Sequence, residues 1–418
     1  MAAACSWVLV DSKAYIDDDT NGSTAEEFTN TSNHIGVSLW PASPPIPSRL
    51  SVHVKWMHPG HEFLHEPKIL CAADCVFLLR VAIGSISTRP TYKMSDYFIY
   101  QLATSTGPLL KLLPHPYPHL FRDDDVGLLP RDDDFTIAAL TQPSYFKFVL
   151  YLFKSEDWYW TSREVLVDPP QTPFPEPLPP GRRHFGHVTS SVITIGSRGA
   201  IGWVDLWNGI LLYDELHDDD NKLRFVPLPV RLESHGGHAL ECCPKPYRSV
   251  SVLGDCLKFV ELEPSGDRLP GKDPETRGPN IRVDDWTLTT YTNCDITGDP
   301  DDWKTDFTVN ASNIRIDTAM RSGLLRCGML LRKTDNSACE ATERNLQNLW
   351  TYQPVVSLNG QGTVVYLITS VKVRHPKACL LAVDMANNQV QAMAMIETER
   401  STDLWLNYFP CRISTPAA

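Results

Sequence analysis

Two patterns in this chain have the residue types and spacing to do chemistry. The first is GWVDLWNGILLYDEL, residues 202–216, which sets Asp205 and Asp214 among large apolar side chains. Two carboxylates about 5–9 Å apart serve glycoside hydrolysis, one protonating the leaving oxygen and the other attacking or activating water. The second is MHPGHEFLHEPK, which holds His58, His61, Glu62 and His65. On a helix, His61 and His65 would share a face and bind zinc, with Glu62 as general base. HGGH at 235–238, followed by Cys242 and Cys243, is a weaker metal pattern. Aspartate runs beginning at Asp17, Asp123, Asp132 and Asp218 could collect calcium.

Context argues against each of these chemistries. Pro59 and Gly60 precede the HEFLH letters and Pro67 follows, which leaves room for a surface loop and barely a helix. Adjacent cysteines rarely serve one metal well. The aspartate runs lack EF-hand spacing and its glycine. GSRGAIG has glycine-fingerprint letters but sits between two strand patterns, so it reads as a tight turn. No nucleophile elbow, phosphate loop or kinase signature occurs. The expectation is therefore no catalytic residue, no metal and no cofactor.

The elements that must position these residues are strands. Short apolar runs and period-two alternation dominate, from SWVLVDSKAYI, IGVSLW and RLSVHVKW through ILCAADCVFLLRVAI, FTIAAL and FKFVLYLF. TERNLQNLW at 342–350 is the best short helix. Four hairpins are expected. Asn208-Gly209 has the composition of a type I′ turn. The others turn at Gly254-Asp255, around Asn359-Gly360, and at Asn387-Asn388. A turn at Asn208-Gly209 puts Trp203, Asp205, Trp207, Ile210, Leu212 and Asp214 on one face, with Val204, Leu206, Leu211 and Tyr213 on the other. Both faces are apolar, so the hairpin should lie between two other layers. Asp205 is then a buried structural pin that must find donors. Trp203, Asp205, Trp207, Asn208, Gly209 and Asp214 form the structural signature.

The chain of 418 residues, 42% hydrophobic, can bury a large core. The fold expected is all-β and propeller-like, with about six or seven blades of antiparallel strands and long loops. Residues 1–167 form a strand-rich half, 168–183 a proline-rich connection, and 184–418 a second half closing the same propeller. A net charge of −12 and no basic stripe argue against nucleic acid and anionic membranes. The opening residues lack the charged and apolar regions of a signal peptide, and no apolar run is long enough to span a bilayer. Eleven scattered cysteines without a CxxC pair read as reduced thiols of a cytoplasmic or nuclear protein. The acidic loops at Asp123, Asp124, Asp132, Asp133 and Asp218 are candidate interaction surfaces for a protein partner of a monomer.

The hairpin, together with YRSVSVLGDCLKFVEL, DDWTLTTYTNC, NLWTYQPVVSLNGQGTVVYLITSV and KACLLAVDMANNQVQAM, resembles the plant proteins, expanded in grasses, that carry the domain of unknown function 1618. CSWVLVDSKAYI and IGVSLWPASPPIPSRLSVH resemble the N-terminal part of that family. Tyr213 stands where a small residue or cysteine is commoner. The resemblance implies no established activity and transfers no catalytic residue. Some relatives carry an F-box, which implies similarity to propeller-bearing substrate receptors of ubiquitin ligases; no F-box-like segment precedes the strands here. The function expected is a non-enzymatic interaction or adaptor module. The alternatives are a carbohydrate-active or other hydrolase using funnel carboxylates, and a receptor-like module without its F-box.

Overall fold

The computed structural model describes residues 5–85, 95–131, 134–144, 147–168, 186–214, 221–229, 243–331, 344–360, 362–397 and 408–414. Nearly all regular structure among them is β. β1 (Cys5–Asp11) and β2 (Tyr15–Ile16) lead into β3 (Ala25–Phe28), β4 (His34–Trp40) and β5 (Arg49–Trp56). These last three pair antiparallel in turn, and β2 joins β5 in parallel. Just before β5, Ser48 forms an isolated parallel bridge with Val10 of β1.

Five antiparallel meanders follow in chain order. The first is β6 (His61–Ala73), β7 (Val76–Ser85), β8 (Ser95–Gln101) and β9 (Leu109–Leu112); the second is β10 (Val126–Arg131), β11 (Asp134–Ser144), β12 (Lys147–Lys154) and β13 (Tyr159–Asp168). The third is β14 (Ser191–Ile195), β15 (Ala200–Asp205), β16 (Gly209–Asp214) and β17 (Lys222–Pro227). The second and third share one sheet only because β13 and β17 meet in parallel, from Leu166↔Lys222 to Asp168↔Arg224. The fourth is β18 (Arg248–Leu253), β19 (Cys256–Lys272), β20 (Pro279–Asn293) and β21 (Lys304–Asn310). A helix, α1 (Thr318–Arg326), precedes the fifth: β22 (Trp350–Val356), β23 (Val364–Ser370), β24 (Lys377–Asp384) and β25 (Gln389–Glu397). Last, β26 (Tyr408–Ser414) returns to pair with β1, from Cys5↔Ser414 to Asp11↔Tyr408.

The first strand of each meander packs beside the first strand of the next. β6 meets β10, β10 meets β14, β14 meets β18 and β18 meets β22; β22 then meets β26, and β26 meets β6. Between sheets lie dry apolar layers. Ile137, Phe153, Leu78 and Ile99 fill one, and Leu140, Leu150, Trp203 and Leu211 fill another. No helix among the described residues is long and apolar enough to cross a membrane.

The signature hairpin is sandwiched as its two apolar faces require, but its register differs from the expected one. Asp205 pairs with Gly209, Trp203 with Leu211 and Ala200 with Asp214. Trp203, Leu211 and Tyr213 therefore face β11 and β12, while Val204, Ile210 and Leu212 face β18 and β19. The cause is Asp205. Its carboxylate accepts from the Trp207 amide at 3.0 Å, and its carbonyl accepts from Asn208 N at 2.9 Å. Aspartate at the first position of such a turn is a strong signal, and here it prevails over Asn-Gly. Gly209 serves closeness: a Cβ there would lie 2.4 Å from the Phe225 ring and 2.5 Å from the Val226 carbonyl.

Other turns fall where expected. Gly254 and Asp255 separate β18 from β19, Ser357–Val364 brackets the Asn359-Gly360 turn, and Asn388 adopts positive φ between β24 and β25. GSRGAIG is the β14–β15 turn. ILCAADCVFLLRVAI is a hairpin, with Asp74 and Cys75 both at positive φ. The helix expected at 342–350 is replaced, where described, by a single 3-10 turn, Leu346–Asn348, running directly into β22. Trp350 is buried there and starts the strand.

One buried histidine gives the fold a pH dependence. His53 is 4% exposed and lies over Gly36, where a Cβ would come within 2.1 Å of its Nε2. Neither ring nitrogen meets a hydrogen-bond partner among the described residues. Burial pushes its pKa down, against the pull of Glu26 and Asp18. A histidine depressed in the fold holds fewer protons than in the unfolded chain, so its contribution is whole above about 6.5 and is lost as pH falls. Melting temperature should therefore drop on acidification below that value. The drop should be shallower in His53→Leu, and an equal slope in both proteins would exclude this group as the cause.

Candidate functional site

A cavity of about 450 Å³ opens where five meander-opening strands and β26 meet. β6, β10, β14, β18, β22 and β26 all contribute to its wall. Strands at such positions present backbone edges and short side chains, here Ser191, Thr194, Ser249 and Ser251 among others. Asp123, Asp124, Lys245 and Arg248 lie with Gln353 and Tyr408 at one end of the cavity, and Asp74, Asp255 and Arg412 line it toward the other.

The Asp123 end is built by a 3-10 turn, Asp123–Asp125, just before β10. Asp123 lies between Lys68 of β6 at 3.1 Å and Arg80 of β7 at 2.8 Å. Asp124 pairs with Lys245 at 2.8 Å, both side chains partly exposed. Asp125 turns inward and accepts from the Arg122 amide and guanidinium. The Trp203 indole donates to the Asp125 carbonyl at 2.7 Å, which fastens this turn to the signature hairpin. The acidic turn is thus a scaffolded corner joining three sheets, and Asp123 is held by two cations within the protein. Asp132, Asp133 and Asp218 lie outside the described residues, as do residues 169–183 of the proline-rich connection, His235 and His238.

Behind the cavity wall sits a buried ion pair that the motifs did not reveal. Arg248 and Glu261 face each other across β18 and β19, with side chains 3% and 7% exposed. The guanidinium holds Glu261 at 2.7 Å, donates to the Leu206 carbonyl at 3.0 Å, and lies 5.1 Å from the centre of the Trp207 ring. Burial raises the Glu261 pKa, and Arg248 opposes the rise.

The residues singled out for chemistry are kept apart. Asp205 is 0% exposed and accepts from the Val188 and Trp207 amides, each at 3.0 Å. Asp214 pairs with Arg224 at 3.1 Å. In the observed register the two carboxylates lie five residue pairs apart, roughly 17 Å along the strands. That separation does not form a glycosidase pair. His61 and His65 lie on β6, a strand, so the helical geometry of a zinc site is missing; the loop expected there is corrected to a strand with irregular register. His61 Nδ1 is instead 3.3 Å from Asn33 Oδ1.

Cysteine usage also departs from expectation. Cys256 and Cys294 form a disulfide. Pairing of Leu257 with Asn293 sets the two opposite each other at the end of the β19–β20 ladder. Cys71, Cys327 and Cys379 are free thiols, and burial pushes Cys379 up to about 12.

No curated protein matches the chain. Residues 203–366, from Trp203 of the signature hairpin to Tyr366 of β23, match the model of the family described as protein of unknown function (DUF1618), which supports that domain over this stretch.

Proposed function

We propose that the chain is a six-bladed propeller that works as a non-enzymatic binding module, holding a protein partner at the end of its central cavity where Asp124 and Lys245 lie. Five blades are the meanders. The sixth combines β26, β1 with β2, β5, β4 and β3, so that the two terminal strands close the ring. The observation that carries the reading is a cavity walled by the first strand of every blade, with a partly exposed ion pair, Asp124–Lys245, at one end. The carboxylates that could have supported hydrolysis are used inside the fold, which weighs against the enzyme alternative. The module acts as a cytoplasmic or nuclear monomer. Its net charge of −12 favours a basic partner face, drawn in by long-range attraction that salt screens.

The test replaces Asp124 with Asn. Asp123 is left alone because Lys68 and Arg80 depend on it. This change at a partly exposed side chain should alter stability by no more than about 0.5 kcal/mol. Partner recovery from cell extract should fall several-fold at low salt and converge with wild type at high salt. Equal recovery at both salt levels would refute the Asp124 end of the cavity as the docking surface.

A further inference from the structure

The Cys256–Cys294 disulfide lies where two blades are fastened together. Cys256 opens β19 directly after the Gly254-Asp255 turn, and Cys294 follows the last residue of β20. Gly254 and Asp255 line the cavity, as do Gly196 and Ser197 of the β14–β15 turn. The two turns are joined: the Ser197 hydroxyl donates to Asp255, and Arg198 Nη2 donates to the Cys294 carbonyl at 2.9 Å. Beyond Cys294 the chain stays against the same neighbouring blade. Arg224 donates to the Ile296 carbonyl, and Trp303 Nε1 donates to the Pro227 carbonyl at 2.7 Å. Ile296 itself is 0% exposed, in one apolar cluster with Val204 and Ile210 of the signature hairpin. The cross-link therefore anchors the start of a segment, residues 294–303, that bridges two blades.

Two features separate this cystine from a buried staple. Cys294 is exposed and Cys256 is half-buried, so a thiol can reach the bond. The β19–β20 ladder also continues far beyond it, to Lys272↔Pro279, so the hairpin keeps its register without the bond. What depends on the bond is the geometry just past the ladder, where Arg198 takes hold.

We propose that Cys256–Cys294 is a reversible redox site reduced by a dithiol, and that its state sets how firmly residues 294–298 and the Gly196–Arg198 turn hold together at the cavity wall. A reductant thiolate attacks Cys294 Sγ and forms a mixed disulfide, and Cys256 leaves as a thiolate that takes a proton from water. The second thiol of the reductant then attacks its own sulfur in the mixed disulfide, and Cys294 is released and protonated likewise. Two electrons pass from dithiol to cystine, and the reductant ends as a disulfide. In a reducing compartment such an exposed bond is a sensor, not a fixed staple. The redox site stands on its own geometry; only an effect on partner binding rests on the function proposed above.

The experiment titrates the native full-length chain with dithiothreitol. Alkylation of each cysteine and amide hydrogen exchange are followed by mass spectrometry. Without reductant, Cys256 and Cys294 should resist alkylation even in denaturant, and on titration they should become reactive together in the native protein. Exchange in residues 196–199 and 294–298 should then rise several-fold while β12 and β24 stay protected. Cys256→Ser/Cys294→Ser should show the reduced pattern whether or not reductant is present. Alkylation of all eleven cysteines in denaturant without reductant would overturn the proposal. So would loss of protection in every blade on reduction, or unchanged exchange in both segments. Partner recovery is a separate readout and judges only the binding role of the cavity.

Discussion

Arg248→Met should destabilise the protein by about 3–5 kcal/mol, the usual cost of removing one member of a buried ion pair. Arg248 is almost wholly buried and makes three different contacts, to Glu261, to the Leu206 carbonyl and to the Trp207 ring. Methionine replaces some of the packing and none of the charge. Glu261 is then left in a dry site, where burial already raises its pKa even with Arg248 beside it. Without the guanidinium that pKa should climb further. The folded variant then takes up a proton more readily than the unfolded chain, so its stability deficit should shrink as pH falls from neutral through the raised pKa. Chemical denaturation of both proteins at several pH values measures this. A deficit under about 1 kcal/mol at neutral pH would mean the pair is not isolated from water. A deficit independent of pH would mean Glu261 is not the group left unpaired.

Asp205→Ala should cost about 3 kcal/mol, since a partly buried amide, that of Val188, and a buried one, that of Trp207, lose their acceptor. The first ties the segment before β14 to the hairpin, and the second shapes the turn that sets the hairpin register. Asp205→Asn keeps an acceptor oxygen and should recover part of the loss, because a neutral carbonyl is a weaker partner for an amide than a carboxylate. Thermal melts of the three proteins give the order wild type, Asn, Ala. An Ala variant that melts with wild type would show that Asp205 is not pinned as described.

Much of this architecture is legible in the amino-acid order, and each failure has a physical cause. The turn at Gly254-Asp255 is a positive-φ glycine between two apolar runs. Counting outward from it puts Arg248 opposite Glu261, so the buried ion pair could have been read from the chain. The hairpin at Asn208-Gly209 misleads because two turn signals overlap. Asp205 caps the chain three residues earlier, and Gly209 is needed for the close approach of Phe225 and Val226. The HEFLH letters carry no period of their own. Only Pro59, Gly60 and Pro67 speak against a helix, and they do not distinguish a loop from a strand of irregular register. Helix α1 buries only Leu324, so its apolar face barely registers, and the Asp317 cap on the Met320 amide was its one local sign. The Cys256–Cys294 pair is 38 residues apart and needs the register of a long hairpin before it can be seen. The ion pairs around the Asp123–Asp125 turn are dispersed further still, since Lys68, Arg80, Asp123, Asp124 and Lys245 come from separate parts of the chain.

The proposed ring closure through β1 and β26 underlies the proposed use of the cavity, and native-state hydrogen exchange tests it most directly. Terminal strands that merely lean on a sheet fray, with opening free energies near zero. Terminal strands that close a ring open only when the ring does. Amides of Trp7–Val10 and Phe409–Ile413 should therefore exchange with the same free energy and denaturant dependence as those of β23 and β24 in the core. Exchange of these two segments at much lower free energy, while β23 and β24 stay protected, would contradict a closed ring and the cavity it encloses.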